Sequence, residues 1–156
     1  MRPSHRRQQK GFTLIELIVV IVILGLLAAV ALPRFVALQT DARIAKMNGA
    51  LAALKAGAVL AHSVQLTQQL AANTSVNMEG AIVPMVNGYP TTALTGIPIA
   101  AGLSTPDYVL TVTSATVFRV SSDANHPNCA VTYTVPAAAG SPPTYNSTGL
   151  TAANCS

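Results

Sequence analysis

Charged side chains are scarce in this chain of 156 residues. Asp, Glu, Lys and Arg together make up 9% of it, whereas a typical soluble domain has about 25%. The 51% of apolar residues excludes disorder maintained by charge, and the low charge excludes the surface of an ordinary cytosolic enzyme. The length allows one domain and little more.

Positive charge is nearly confined to the N-terminus. The basic residues of the first ten positions are Arg2, Arg6, Arg7 and Lys10. From Ala56 to the end the chain has a single basic residue, Arg119, and three acidic residues. Because these cannot form a basic surface, we expect no binding of nucleic acid.

Side chains for catalysis or metal binding are also few. The three histidines are His5, His62 and His126, and no GxSxG, HExxH or glycine-rich phosphate motif accompanies them. We interpret His62 as a capping or surface histidine of a helix, and His126 as a loop residue. The acidic residues are too scattered for a calcium site, and two cysteines alone cannot form a structural zinc site. We therefore expect no enzyme, no metal and no cofactor.

A long apolar run lies near the N-terminus. Leu17 to Leu32 is sixteen residues without a charge, and extension back to Phe12 adds only Thr13 and Glu16 as polar residues. As a helix, these 21 residues would span about 31 Å, enough to cross a membrane. The basic residues before the run would keep that end in the cytoplasm.

Three interpretations of this N-terminus remain. They are a secretory signal peptide cut after Ala31, a plain single-pass anchor, and a cleaved leader that leaves the helix in place. An acid such as Glu16 at mid-membrane costs up to about 2.5–3.5 kcal/mol and usually has a partner. No cation lies within the run, so a new α-amino group produced by cleavage just upstream is one candidate partner.

Residues 10–17, KGFTLIEL, resemble the class III leader junction of type IV prepilins. The resemblance implies that a prepilin peptidase cleaves after Gly11 and N-methylates Phe12. It also implies that the Phe12 ammonium of one subunit pairs with Glu16 of a neighbouring subunit during assembly.

Gly25 and Pro33 lie where type IV pilins have residues that weaken the helix. Gly within a helix costs about 1 kcal/mol and Pro about 3 kcal/mol. The resemblance implies a segment that unwinds in a filament. A simple kink, common in membrane helices, is the alternative.

The remaining pattern predicts an α+β fold. One helix should run from Phe12 to about Leu70, with an apolar stripe on its second half. That stripe consists of Met47, Leu51, Leu54, Ala58 and Ala61. The segment 72–106, rich in Gly and Pro, predicts a long loop with at most one short helix or strand.

Three later runs rich in Val, Thr and Tyr predict an antiparallel sheet packed on the stripe. They are Tyr108–Thr113, Ala115–Ser121 and Cys129–Val135. The expected organisation is a cleaved leader at 1–11, a transmembrane or filament-core helix at 12–33, and a globular head at 34–156. Within that head, the strands fall in 107–135.

Cys129 and Cys155 are the two cysteines. The exported side of the predicted topology is oxidising, so a disulfide is expected there, and two free thiols are the alternative. Type IV pilins close a C-terminal loop in the same way, which here would be residues 129–155.

Several short patches are similar to pilins of the mannose-sensitive haemagglutinin type. The patches are Pro33-Arg34-Phe35, Leu38-Gln39, Asp41-Ala42-Arg43, Gly88-Tyr89-Pro90 and residues 129–134. The resemblance implies a structural subunit of an adhesive pilus, with a role in surface attachment and motility.

The partners expected from this resemblance are other copies of the chain in a helical filament, the prepilin peptidase, the inner-membrane assembly machinery and a host or surface glycan. The subunit would wait in the inner membrane before assembly and be extracellular afterwards. The alternatives are a major pseudopilin of a type II secretion system, a DNA-uptake pilin, and a secreted soluble protein beginning at Leu32.

Overall fold

The computed structural model describes residues 11–156. Most of the predicted leader, together with His5, lies outside the described residues. The chain divides into two compact units, of which one ends at Ala37 and the other is Leu38–Ser156.

The first element is the long helix α1, Leu14–Thr67. Its ends agree with the predicted helix to within three residues. Just after the helix, Gln69 has a positive φ of 53°, and the Leu70 amide donates to the Gln65 carbonyl over 3.1 Å. The buried Gln65 side chain also donates to the carbonyls of Ala71, over 2.9 Å, and Thr74, over 3.2 Å. The Leu70 bond satisfies a carbonyl that the end of the helix leaves unpaired, and the Gln65 side chain holds the following turn against the helix.

The segment after α1 corrects the prediction of a long loop. It contains β1 (Val76–Met78), β2 (Ala81–Val83), β3 (Met85–Val86), β4 (Tyr89–Pro90) and the short helix α2 (Ile97–Ala100). The strands form two antiparallel hairpins, β1–β2 and β3–β4. Each hairpin has a two-residue loop with positive φ at both positions, Glu79-Gly80 and Asn87-Gly88. Positive φ at both positions is what a type I′ turn requires, and such a turn matches the twist of the strands.

The second half of the fold is a four-stranded antiparallel sheet. Its strands are β5 (Val109–Val112), β6 (Val117–Ser121), β7 (Ala130–Thr134) and β8 (Thr144–Asn146). They lie in sequence order within the sheet, and the chain ends with the short helix α3 (Ala152–Cys155). The three predicted strands are confirmed, each shortened by one or two residues at one end or both. The fourth strand, β8, was not predicted.

The main core of the Leu38–Ser156 unit lies between α1 and the sheet. In this core the helix buries Met47, Ala50, Leu54 and Ala58, and the sheet buries Phe118, Val120, Val131 and Tyr133. Ala61 is buried in a smaller cluster with Val76, Val83 and Met85 of the hairpins. Four of the five predicted stripe residues are therefore buried, and Leu51 is partly buried at the edge of the core. The Tyr133 hydroxyl donates to the Pro90 carbonyl over 2.7 Å, and its burial raises the pKa of Tyr133.

Gly57 is the point of closest approach between α1 and α2. A Cβ atom built on Gly57 would lie 2.6 Å from the carbonyl carbon of Ala100. Real Cβ atoms do not come this close to backbone atoms, so any side chain here must push the two helices apart. The absence of a side chain at Gly57 therefore determines how closely α2 packs on α1.

Replacing Gly57 by alanine is expected to lower the free energy of unfolding by about 1–3 kcal/mol, the usual cost of overpacking. Urea unfolding of the detergent-solubilised protein, followed by tyrosine fluorescence, would measure it. Gly49→Ala is the matched control, since Gly49 is an exposed glycine of the same helix with nothing within 4 Å of its Cβ position. The control should gain up to about 1 kcal/mol from helix propensity. Equal effects of the two variants would contradict the assigned contact.

Candidate functional site

The predicted cleavage junction immediately precedes α1. Gly11, Phe12 and Thr13 have no regular structure, and the helix begins at Leu14. The Phe12 side chain is 93% exposed. Phe12 lines a shallow depression with Ile15, Glu16, Val19 and Val20. The peptide bond after Gly11 is thus at an exposed position at the start of a helix.

Thr13 and Glu16 cap this helix reciprocally. The Glu16 carboxylate accepts hydrogen bonds from the Thr13 amide and from the Thr13 hydroxyl, each over 2.8 Å. The Glu16 amide donates back to the Thr13 hydroxyl oxygen over 3.3 Å. This is a capping box, in which a threonine and a glutamate three residues later satisfy amides that the helix start leaves free. Glu16 therefore has a local role besides its predicted role in assembly.

An uncovered apolar surface follows the cap. Every residue from Gly11 to Ala37 is exposed, and α1 contains a stretch long and apolar enough to cross a membrane, none of it buried. Water is a poor environment for such a surface, since monomeric soluble proteins rarely expose large continuous apolar patches. The segment requires either lipid or other helices around it.

Gly25 and Pro33 both lie inside α1. The helix is continuous through both positions in this structure. A Cβ atom at Gly25 would meet nothing within 4 Å, so no described contact of the first unit requires glycine there. Unwinding of this stretch in a filament stays a prediction.

The other end of the chain is closed by the predicted disulfide. Cys129 and Cys155 are bonded, with 4.8 Å between their Cα atoms, and both are fully buried. The bond attaches α3 to the start of β7. Gly149 packs against the same region, since a Cβ atom there would lie 2.7 Å from the Ala130 carbonyl oxygen.

A small network of charges joins α1 to this disulfide-closed end. Arg43 of α1 donates to the Cys155 carbonyl over 2.9 Å, and its guanidinium lies 3.5 Å from the Asp123 carboxylate. His126 Nδ1 lies 2.7 Å from the other oxygen of Asp123. Burial opposes the charge of Asp123, but hydrogen bonds from His126 and Ser122 outweigh it and lower the pKa of Asp123. Nothing in the sequence predicted this network, because Arg43 is far from Asp123 and His126 along the chain.

Lys46 makes a second link of the same kind. It donates to the carbonyls of Asp107 and Ser122, the latter over 3.0 Å. Its ammonium also lies 4.7 Å from the centre of the Tyr108 ring, within range of a cation–π interaction. Together, Arg43 and Lys46 connect α1 to the chain on both sides of the β5–β6 hairpin.

The two described histidines have structural surroundings. The His62 ring stacks on Tyr89, with 4.3 Å between ring centres, and its Nδ1 lies 2.7 Å from the Gly88 carbonyl oxygen. His126 belongs to the Asp123 network. Across residues 11–156 no group of three or more His, Cys, Asp or Glu side chains could hold a metal ion.

Comparison with known proteins adds independent support for the predicted leader. Residues 6–32 match the family model of the prokaryotic N-terminal methylation motif. The chain is 50% identical over 52 residues to the type IV narrow pilus major component PilA5 of Thermus thermophilus, a match that covers 33% of this chain and 45% of that protein. No solved structure matches the chain.

Two further relatives come from different assemblies. The type II secretion system core protein G of Pseudomonas aeruginosa is 47% identical over 52 residues, covering 33% of this chain and 37% of that protein. The type IV major alpha-pilin of Moraxella bovis is 51% identical over 47 residues, covering 30% of each. The chain thus spans less than half the length of each of these relatives.

The fold agrees with these similarities. It combines a long N-terminal helix, small antiparallel sheets and a disulfide near the C-terminus. The methylation motif and the named pilin relatives support the predicted resemblance to type IV pilins, and this architecture is consistent with it.

Proposed function

We propose that the chain is a structural subunit that polymerises into a type IV pilus. The observation that carries this proposal is the uncovered apolar segment from Gly11 to Ala37, which overlaps the matched methylation motif and contains one acid, Glu16. In a membrane this surface would face lipid. In a filament it would face the same segment of other subunits.

The proposed mechanism begins with proteolytic processing. The prepilin peptidase removes residues 1–11 and methylates the new N-terminus at Phe12. The resulting ammonium then pairs with Glu16 of the neighbouring subunit, so that correct docking neutralises two charges in an apolar environment. Because one subunit offers its amine and the next its acid, the contact is head-to-tail and gives an open helical filament.

The proposed location follows from the same segment. Residues 12–33 hold the unassembled subunit in the inner membrane with its basic N-terminus in the cytoplasm, and the head, 34–156, lies outside. After assembly the whole subunit is extracellular. The short patches shared with the mannose-sensitive haemagglutinin type favour a filament used for surface attachment.

A pseudopilin of a type II secretion system is the second candidate. The similarity to core protein G of Pseudomonas aeruginosa favours it. Against it stands the disulfide that closes the C-terminal loop, which is the arrangement expected of a pilin. A DNA-uptake pilin would need a basic stripe, and from Ala56 onward the chain offers only Arg119.

Mass spectrometry of the mature protein from membranes and from sheared surface filaments tests the proposal. We expect a chain that begins with N-methylated Phe12, and electron microscopy should show filaments of which this chain is the main subunit. A mature N-terminus at Leu32 would mean a secreted soluble protein and would contradict the proposal. Processed chain found only in membranes of cells that secrete through a type II system would favour the pseudopilin.

A further inference from the structure

The outer face of the four-stranded sheet carries a row of polar side chains. The strand register aligns Thr111, Arg119, Thr132 and Asn146 across the strands β5, β6, β7 and β8. The neighbours of Arg119 along β6, Phe118 and Val120, are fully buried in the core. Since side chains alternate along a strand, Arg119 lies on the face away from the core.

Arg119 is a positioned cation without a carboxylate partner. Its guanidinium donates to the Pro127 carbonyl and, over 3.3 Å, to the Asn128 side-chain oxygen. The ion pairs found within residues 11–156 are those of Asp123 with Arg43 and His126. The positive charge of Arg119 is therefore oriented by neutral oxygens and is not neutralised.

A groove of about 220 Å³ lies beside this guanidinium. Besides Arg119, the polar side chains that line it are hydroxyls and amides, those of Thr113, Asn128, Thr132, Asn146 and Thr148. The Thr148 hydroxyl already donates to the Asn146 side-chain oxygen over 2.8 Å. No acidic residue lines it. Within the described part of the chain, the hydroxyls of Thr113 and Thr132 have no hydrogen-bond partner, so both are available to a ligand.

A second groove of about 550 Å³ lies on the other side of Arg119. It includes Asp123, whose carboxylate already binds Arg43 and His126. The negative charge of Asp123 makes this second groove less suitable for an anion. In the smaller groove, by contrast, no acidic side chain opposes the positive charge of Arg119.

The size and lining of the smaller groove restrict its ligand. A volume of about 220 Å³ is below the range of about 300–1,000 Å³ that drug-sized ligands occupy, so it suits one small ring. A guanidinium binds a carboxylate through two parallel hydrogen bonds. Threonine hydroxyls and amides both donate and accept hydrogen bonds, which matches a ligand rich in hydroxyl groups.

We propose that this groove binds one carboxylated sugar residue of an acidic polysaccharide, with Arg119 holding the carboxylate and the threonine and asparagine side chains holding the hydroxyls. The proposal names a ligand class for the surface attachment proposed above. It concerns the head itself, so it is tested on detergent-solubilised monomers and does not depend on whether filaments form.

Calorimetric titration of the full-length protein with oligogalacturonate tests the proposal, with the fully methyl-esterified oligomer as the neutral counterpart. We expect Arg119→Gln to weaken binding at least tenfold and the neutral oligomer to bind at least tenfold more weakly. Arg119→Lys keeps the charge but loses the paired hydrogen bonds. Its affinity for oligogalacturonate should therefore lie between those of the wild type and Arg119→Gln. Lys55→Gln, which removes an equal charge outside the groove, should change binding less than twofold.

Thr132→Val addresses the hydroxyl contacts without changing the charge. It replaces a hydroxyl that has no partner among residues 11–156, and should weaken binding about threefold while leaving the unfolding transition unchanged. Absence of oligogalacturonate binding to the wild-type protein would overturn the proposal, as would equal binding by Arg119→Gln. Equally tight binding of polyglutamate would also overturn it, because the groove would then recognise an acidic polypeptide through charge alone.

Discussion

Replacing Glu16 by glutamine is expected to abolish filament assembly while leaving the chain in the membrane. The substitution removes the charge that the Phe12 ammonium of the next subunit would neutralise. An unpaired charge costs up to about 2.5–3.5 kcal/mol at mid-membrane and less near an end of the segment. A difference of up to this size lowers an equilibrium constant by up to about 60- to 300-fold, since each 1.4 kcal/mol corresponds to a factor of ten. Electron microscopy of sheared filaments and immunoblots of membrane fractions would measure the two effects.

The choice of glutamine separates two roles of the same side chain. Glu16 also accepts hydrogen bonds from the Thr13 amide and hydroxyl, and glutamine can take the same position in a capping box. Glu16→Ala removes both the cap and the charge. If Glu16→Gln assembled normally and Glu16→Ala did not, the cap would be the important interaction and the charge pair would be contradicted.

A matched control for the charge itself lies in the head. Glu79 is an exposed acid in the turn between β1 and β2. Glu79→Gln removes one negative charge from the subunit without touching the N-terminal segment. It should assemble as the wild type does, whereas a loss of filaments in this variant would show that the net charge of the subunit matters and not the position of Glu16.

Removing the disulfide is expected to destabilise the head by about 3.6 kcal/mol. The double variant Cys129→Ala, Cys155→Ala opens a loop whose ends are separated by 26 positions, and loop-closure entropy gives a loss of this size. The loss should include release of the C-terminus, where Arg43 binds the Cys155 carbonyl. Urea unfolding of the detergent-solubilised protein would measure the change.

Two controls accompany this measurement. The wild-type protein unfolded under reducing conditions should match the double variant, because both lack the same bond. Ala153→Ser changes an exposed residue of α3, and should alter the free energy of unfolding by less than about 0.5 kcal/mol. A double variant that unfolds at the same urea concentration as the wild type would show that the disulfide does not support the head.

The segment 72–106 shows where a sequence pattern was available and was overlooked. Asn87-Gly88 stands between two short apolar pairs, and Asn-Gly is among the strongest indications of a two-residue hairpin. Glu79-Gly80 forms a similar turn, with positive φ at both residues. The abundance of glycine and proline suggested a loop, but in this segment two of the glycines form the turns between paired strands.

The capping box was a second overlooked pattern. Thr13 and Glu16 have the spacing of a threonine followed three residues later by a glutamate, at the start of an apolar run. The Glu16 carboxylate therefore has local hydrogen bonds as well as a charge. The strand β8, in contrast, had little to indicate it, because Thr144–Asn146 is three residues long and follows a segment rich in proline.

The order of amino acids alone determined the long helix, its apolar first part, three strands of the sheet and the pairing of the two cysteines. The periodic spacing of apolar residues can be recognised in a short stretch of sequence, and the charge and the number of cysteines follow from composition. None of these requires a structure. The tertiary structure decided the rest. The contact of Gly57 with Ala100, the Arg43–Asp123–His126 network and the polar row around Arg119 each join residues from separate elements. Which of these side chains meet depends on strand register and helix packing, which follow from burying one shared core.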